Sequence, residues 1–150
     1  MTSKSLIDRN PQWQQLPLTV AVIGGPDRMT RGFAELAALH GHRLGHHDGS
    51  LAGRGRRALR DLVARSHLVV IVTGVNSHAA VLVARDEVRR QGVPSLICRR
   101  FGLANLTRLL EAIARHRELG TTAVLGQAAA DHVADRAAGV FSFNRPQVDA

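Results

Sequence analysis

His67-Leu68-Val69-Val70-Ile71-Val72 is the segment that most strongly predicts a β-strand, because its last five residues are all apolar and mostly β-branched. An uninterrupted run of this kind is typical of a strand buried on both faces of a parallel sheet. A second such run, Leu18-Thr19-Val20-Ala21-Val22-Ile23, stops at Gly24-Gly25-Pro26. Two shorter strands are predicted, near His42 to His46 and at Ser95-Leu96-Ile97-Cys98.

Apolar residues at helical spacing occupy the intervals between and after these strands. They predict helices at about 28–40, 51–65 and 77–91, and a fourth that begins near Asn105. The resulting alternation, β-α-β-α-β-α-β-α, predicts an α/β fold. We expect a doubly wound, Rossmann-like or flavodoxin-like parallel sheet of about four strands with helices on both faces.

The length of 150 residues suits one domain with one hydrophobic core. The expected divisions are an N-terminal arm at 1–17, a Rossmann-like ligand-binding domain at 18–118, and a C-terminal helix and tail at 119–150. A single tryptophan in such an arm, Trp13, is usually anchored to its own domain or to a partner subunit.

Features of an exported or membrane protein are missing from the sequence. No apolar run approaches the ~20 residues that a membrane span requires. The first ten residues lack the hydrophobic core of a signal peptide. The lone Cys98 excludes an intrachain disulfide and a cysteine-based zinc cluster. We therefore expect a cytoplasmic protein without a membrane partner.

The formal net charge of +8 is carried almost entirely by arginine. An anionic partner would account for it, namely a nucleic acid, a phosphate or a carboxylate-bearing cofactor. An arginine-rich genome would produce the same charge without any such partner, and we give the two interpretations equal weight. Four phenylalanines, one tryptophan and no tyrosine leave few side chains for stacking on bases, which disfavours a single-strand binder.

Histidines follow two of the predicted strands. Four of the eight lie between positions 40 and 47, and His78 follows the strand at 67–72. Because the carboxyl ends of parallel strands form one edge of a sheet, where open α/β folds bind ligands, these imidazoles are expected to face one crevice. The candidate metal ligands are His46, His47 and His78, although alternation along a strand lets only one of His46 and His47 face the crevice readily.

The turn after the first strand contains the candidate ligand-binding residues Gly24, Gly25 and Arg28. Free backbone amides at a strand-to-helix turn favour an anion, and glycine permits its close approach. The turn matches neither the dinucleotide-binding fingerprint nor a Walker A loop, so an ordinary tight turn is the favoured interpretation.

Three further polar residues are expected near the same edge. Asp48 is positioned to orient an imidazole through its second nitrogen. Arg85 follows His78 by two helical turns, and Arg99 follows the fourth strand. Both arginines are candidates for holding a carboxylate or a phosphate.

Haem suits these residues better than zinc does. Zinc needs three or four ligands, and two or three histidines without cysteine make an incomplete set. Haem needs one axial imidazole, an apolar wall and arginines for its propionates. The domain is too small to enclose haem, so the expected site is a cleft between two subunits.

Five motifs occur in a fixed order along the chain: Gly24-Gly25-x-Asp27-Arg28, His46-His47-Asp48-Gly49, Ser77-His78, Gly92-x-Pro94 and Arg99-x-x-Gly102. Through these motifs, over about residues 18–115, the chain resembles DUF2325, a bacterial family of small Rossmann-like proteins of unknown function. The resemblance implies ligand binding at the sheet edge, with haem binding in some members, and shared polar positions at His46, Asp48 and His78. Two departures are Arg85, where relatives commonly have lysine, and Thr73-Gly74, where Thr-Asp is more usual. The second departure weakens any expectation of carboxylate chemistry after the third strand.

We therefore predict a cofactor-binding protein, dimeric through its arm or helix faces, that holds a b-type haem through histidine and serves gas or redox sensing or haem handling. One alternative is a nucleotide- or phosphate-binding regulatory module that uses the Gly24-Gly25 turn, Arg28 and Arg99. Another, less favoured, is nucleic-acid binding through arginines of the second helix, namely Arg54, Arg56, Arg57 and Arg60. No paired carboxylates and no nucleophile–base pair stand out, so an enzyme is not favoured.

Overall fold

The computed structural model describes residues 17–74, 76–116 and 140–144. The fold is built on a sheet of parallel strands. Four strands are parallel neighbours: β1 (Thr19–Ile23), β2 (Arg43–His47), β3 (Leu68–Val72) and β4 (Ser95–Cys98). Their order across the sheet is β2-β1-β3-β4. This order is that of flavodoxin-like folds and confirms the predicted α/β class.

Helices cover both faces of the sheet. They are α1 (Thr30–Leu39), α2 (Gly55–Ala64), α3 (His78–Gln91) and α4 (Leu103–His116). The chain steps from β1 to β2 in one direction and then back across the sheet to β3 and β4. Right-handed crossovers therefore place α1 on one face and α2 and α3 on the other. Contacts agree, because α4 packs against α1 and α2 packs against α3.

Alternate residues of the strands build a separate core on each face. Val22 and Val70 belong to the core beneath α1 and α4, whereas Ile23 and Ile71 belong to the core beneath α2 and α3. All five residues of β3 are buried because the strand is covered on both sides. Burying each such side chain contributes about 1.5–3 kcal/mol, so β3 anchors both cores.

The chain's single cysteine lies in the α1/α4 core. Cys98 is fully buried at the end of β4, and burial raises the pKa of its thiol to about 12. A thiol in these surroundings remains protonated and packs as a small apolar side chain.

Helix boundaries differ from the sequence prediction for local reasons. Residues 52–54 form a turn and α2 begins at Gly55, so it is shorter than the predicted 51–65. The α4 helix begins at Leu103, two residues before Asn105. The Asn105 side chain accepts the backbone amide of Gly102, the residue before the helix, at 3.0 Å. That contact is one half of a capping box. Ser77 caps α3, accepting the Ala80 amide at 3.1 Å.

A fifth strand, β5 (Val140–Asn144), pairs antiparallel with β4. These residues were expected in a C-terminal tail, and their sequence did not predict the strand. Residues 1–16 of the predicted arm, and residues 119–139 and 145–150 of the predicted C-terminal helix and tail, lie outside the described ranges. None of the helices within those ranges is both long and apolar enough to cross a membrane.

Two histidines hold the amino end of β1. The Leu18 amide donates to Nδ1 of His42 at 3.0 Å, and the Thr19 amide donates to Nδ1 of His67 at 2.9 Å. Each Nδ1 must be unprotonated to accept these hydrogen bonds. Partial burial also lowers the pKa of the His67 imidazole below its usual 6.5.

We expect the free energy of unfolding to decrease as the pH falls from about 7.5 to about 5.5. Because the pKa of His67 is lower in the folded protein than its usual 6.5, the unfolded chain takes up this proton first. The stabilisation by neutral His67 is complete above pH 6.5 and is lost as the pH approaches the folded-state pKa. Part of the side chain remains exposed, so the effect is modest.

Urea unfolding at the two pH values measures this effect in the natural chain and in His67→Asn. The Asn side chain retains an acceptor in place of Nδ1 and does not titrate. We expect the variant to lose less stability on acidification. An equal loss in both proteins would contradict the assignment to His67.

Candidate functional site

The carboxyl edge of the sheet collects nearly all the predicted site residues. The strand order changes direction between β1 and β3, which is where open α/β sheets form a ligand crevice. Loops follow each parallel strand along this edge. The residues brought there are Gly24, Gly25, Arg28, His46, His47, Asp48, His78 and Arg99. Arg85 lies apart from them, two turns along α3.

His46 is half-buried on the α1 side of the sheet, and both of its ring nitrogens have partners. Nε2 lies 2.9 Å from the carbonyl oxygen of Gly24 and Nδ1 lies 2.6 Å from the hydroxyl of Thr30. Since a carbonyl only accepts, Nε2 carries the proton, and in the neutral ring Nδ1 accepts from Thr30. The ring also meets Phe33 edge-on, with centroids 5.8 Å apart.

His47 points to the opposite face, as alternation along a strand requires. Its Nδ1 accepts the Gly49 amide at 2.9 Å, and its Nε2 donates to the carbonyl oxygen of Gly55 at 2.7 Å. The ring therefore joins β2 to its following loop and to the start of α2. A metal needs a nitrogen lone pair without another partner, and in this arrangement neither His46 nor His47 offers one.

Asp48 shapes the loop after β2. Its Oδ1 accepts the Ser50 amide at 2.8 Å, the contact that defines an Asx turn. Within the described ranges its carboxylate makes no hydrogen bond with a histidine ring. The residue was predicted to orient an imidazole, and these contacts assign it to the turn instead.

Asn76 fills the crevice between β1 and β3. Its Nδ2 donates to the carbonyl oxygen of Ile23 at 3.0 Å and to that of Val72 at 2.9 Å, which ties the two strand ends together. Its Oδ1 is buried and has no hydrogen-bond partner among the described residues. Sequence analysis did not single out this residue, although an asparagine directly before a helix cap is a recognisable signal.

Two glycines make room for the Asn76 side chain. A Cβ at Gly24 would lie 2.7 Å from Asn76 Nδ2, and a Cβ at Gly49 would overlap Asn76 Oδ1. Both glycines also have positive φ, at 117° and 90°. The glycine at position 24 was interpreted as allowing a ligand to approach, but the space beside it is already occupied by a side chain of the same protein.

His78 has the most accessible ring of the three predicted ligands. It is the first residue of α3, it is exposed, and within the described ranges its ring makes no hydrogen bond. Leu82 and Arg85 lie four and seven residues further on, so all three share the outer face of the helix. Leu82 is 52% exposed, and the sequence pattern did not single it out.

Among the described residues, the side chains that could bind a metal are not gathered at one place. Arg28 and Arg99 are exposed in the loops after β1 and β4. No group of three or more His, Cys, Asp or Glu side chains within the described residues is arranged to hold a metal ion.

Comparison with known families identifies one match. The model for a family described as an uncharacterized protein conserved in bacteria, DUF2325, matches residues 19–113. The chain belongs to this family, as its motifs predicted. No curated protein and no solved structure is similar enough to this chain to match it.

Gly49→Ala should destabilise the protein more than Gly41→Ala. Both residues have positive φ, at 90° and 80°, but a Cβ at Gly41 meets no atom within 4 Å, whereas one at Gly49 overlaps Asn76. We expect an additional cost of about 1–3 kcal/mol at position 49, the usual range for overpacking. Urea unfolding of the two variants measures the difference. Equal destabilisation would contradict the close packing of Asn76.

Asn76→Asp should cost more stability than Asn76→Ala. The alanine variant loses two donated hydrogen bonds, whereas the aspartate variant also directs a carboxylate at the carbonyl oxygens of Ile23 and Val72. Each unsatisfied buried carbonyl costs about 1–3 kcal/mol, and charge repulsion adds to that cost. Unfolding free energies at neutral pH test this order, and the reverse order would show that Asn76 Nδ2 does not contact the two carbonyls.

Proposed function

We propose that this member of the DUF2325 family binds haem and that His78 is the iron ligand, on the outer face of α3. One observation carries the proposal: His78 is exposed and unpartnered within the described residues, and it is aligned with an exposed leucine and arginine. Hydrogen bonds already engage four other histidine rings, those of His42, His46, His47 and His67.

The outer face of α3 matches the chemical needs of haem. His78 would hold the iron, Leu82 would contact the macrocycle, and the Arg85 guanidinium would pair with a propionate. At the rise of an α-helix, Leu82 lies about 6 Å and Arg85 about 10 Å along the axis from His78. Along the helix, the side chain for the iron would come first, that for the macrocycle second and that for a propionate at its edge third. Bound haem would supply an iron that binds a diatomic gas or changes its oxidation state.

A second copy of the chain is the expected cover for the other side of the haem. One helix face leaves half of a large apolar macrocycle in water, which is unfavourable. If the α3 faces of two copies enclosed one haem, both sides of the macrocycle would be shielded from water. The predicted dimer would then form the haem site. Gas or redox sensing and haem handling are both compatible with this arrangement.

A phosphate or nucleotide at the Gly24-Gly25 turn has less support. Asn76 already occupies the space that the missing side chain of Gly24 leaves open. Arg28 and Arg99 are exposed at this edge. Haem is therefore the better-supported ligand.

His78→Ala should abolish the spectrum of imidazole-ligated haem. Haemin is titrated into the purified protein, and the Soret band and its dissociation constant are recorded for each variant. Removing the ligand leaves only apolar and ionic contacts, so we expect a shifted Soret band and at least about tenfold weaker binding.

His40→Ala is the matched control, because His40 is also exposed but lies at the opposite edge of the sheet, after α1. It should bind haem as the natural chain does. Circular dichroism checks that both variants fold. A His78→Ala protein with an unchanged Soret band and affinity would overturn the proposal.

A further inference from the structure

The exposed side of α2 and its two flanking residues is densely basic. The helix buries Leu59, Leu62 and Val63, and its remaining side carries exposed arginines along its whole length. These arginines are Arg54, Arg56, Arg57, Arg60 and Arg65, which we call the α2 arginine face. Eleven residues of helical rise correspond to about 16 Å, so the arginines of this face are spread over that length of the helix.

Described acidic side chains pair with only one arginine of this face. Arg57 Nε lies 4.0 Å from Asp61 Oδ2, a long contact between side chains that are 81% and 61% exposed. The other arginines of the α2 arginine face make no ion pair with a described residue. Repulsion between unpaired like charges destabilises a folded protein, and binding to a polyanion would relieve it.

The face is open to a ligand and carries no exposed large apolar side chain. An open hollow of about 500 Å³ is lined by Arg54, Arg57, Ala58 and Asp61, which lie on one stripe of α2. The large apolar residues of the helix are all buried. A protein interface normally has an apolar centre, and a membrane-binding helix inserts apolar side chains, so neither partner fits this face.

We infer that the α2 arginine face binds the phosphate backbone of double-stranded nucleic acid without sequence preference. A row of charge about 16 Å long spans several phosphates of a duplex, whereas a single phosphate would occupy only part of it. A duplex is favoured over a single strand because α2 has no aromatic residue on which unpaired bases can stack. This inference is independent of the proposed haem site, since none of its residues belongs to α3.

The test measures the salt dependence of duplex binding. Fluorescence anisotropy with a labelled duplex of arbitrary sequence, about 25 base pairs long, is recorded between about 50 and about 200 mM salt. For about four phosphate contacts, the slope of log K against log salt should be near −3.6. A nearly flat dependence would overturn the inference.

Two triple variants with the same net charge locate the surface. Arg54→Gln, Arg57→Gln and Arg60→Gln together should reduce the slope by about 3 and weaken binding at low salt by at least about tenfold. The control replaces three exposed arginines elsewhere, Arg31, Arg43 and Arg100, with glutamine, and it should retain the slope. Equal loss in both would show that only net charge matters and would overturn the assignment.

Competition distinguishes a duplex from other polyanions. Poly-glutamate or vesicles with anionic lipid that displace the duplex at equal charge concentration would overturn the assignment to nucleic acid. Haem binding by the two triple variants is recorded in parallel. Unchanged haem spectra with lost duplex binding would confirm that the two sites are separate.

Discussion

The carboxamide of Asn76 is the contact around which the carboxyl edge is arranged. Its NH₂ group donates to the carbonyl oxygens at the ends of β1 and β3, where the sheet reverses its order. The side chain fits only because Gly24 and Gly49 have no Cβ. The crevice that open α/β folds use for ligands therefore serves here to hold the strand ends together. Ligand recognition is accordingly expected on outer surfaces of the helices.

Four histidine rings in the described part of the chain are held by hydrogen bonds within the protein. The rings of His42 and His67 accept amides at the amino end of β1, and those of His46 and His47 connect β2 to neighbouring loops and helices. A neutral imidazole both donates and accepts, so one side chain can join two backbone groups that no ladder hydrogen bond reaches. A histidine-rich sequence is thus compatible with few rings that are available to a ligand, and among the three predicted metal ligands His78 is the exposed one.

Sequence patterns predicted the sheet well because burial on two faces leaves long apolar runs such as that of β3. The short antiparallel β5 was not predicted, since its pairing with β4 depends on residues distant in the chain. The gathering of the candidate residues at the carboxyl edge was predictable because strand topology alone determines which loops meet there. The partners of its side chains were not predictable, since Thr30 reaches His46 and Gly49 accommodates Asn76 only after the elements have packed.

Because Cys98 is buried in the α1/α4 core, chemical modification of its thiol reports when that core opens. With a pKa of about 12 and no exposed surface, almost none of it is thiolate at neutral pH. Alkylating reagents and oxidants therefore react with it only when the α1/α4 core separates from the sheet. The folded protein is in consequence insensitive to the thiol redox poise of its surroundings. The rate at which a reagent modifies this cysteine equals the frequency of that separation when reaction outpaces closing.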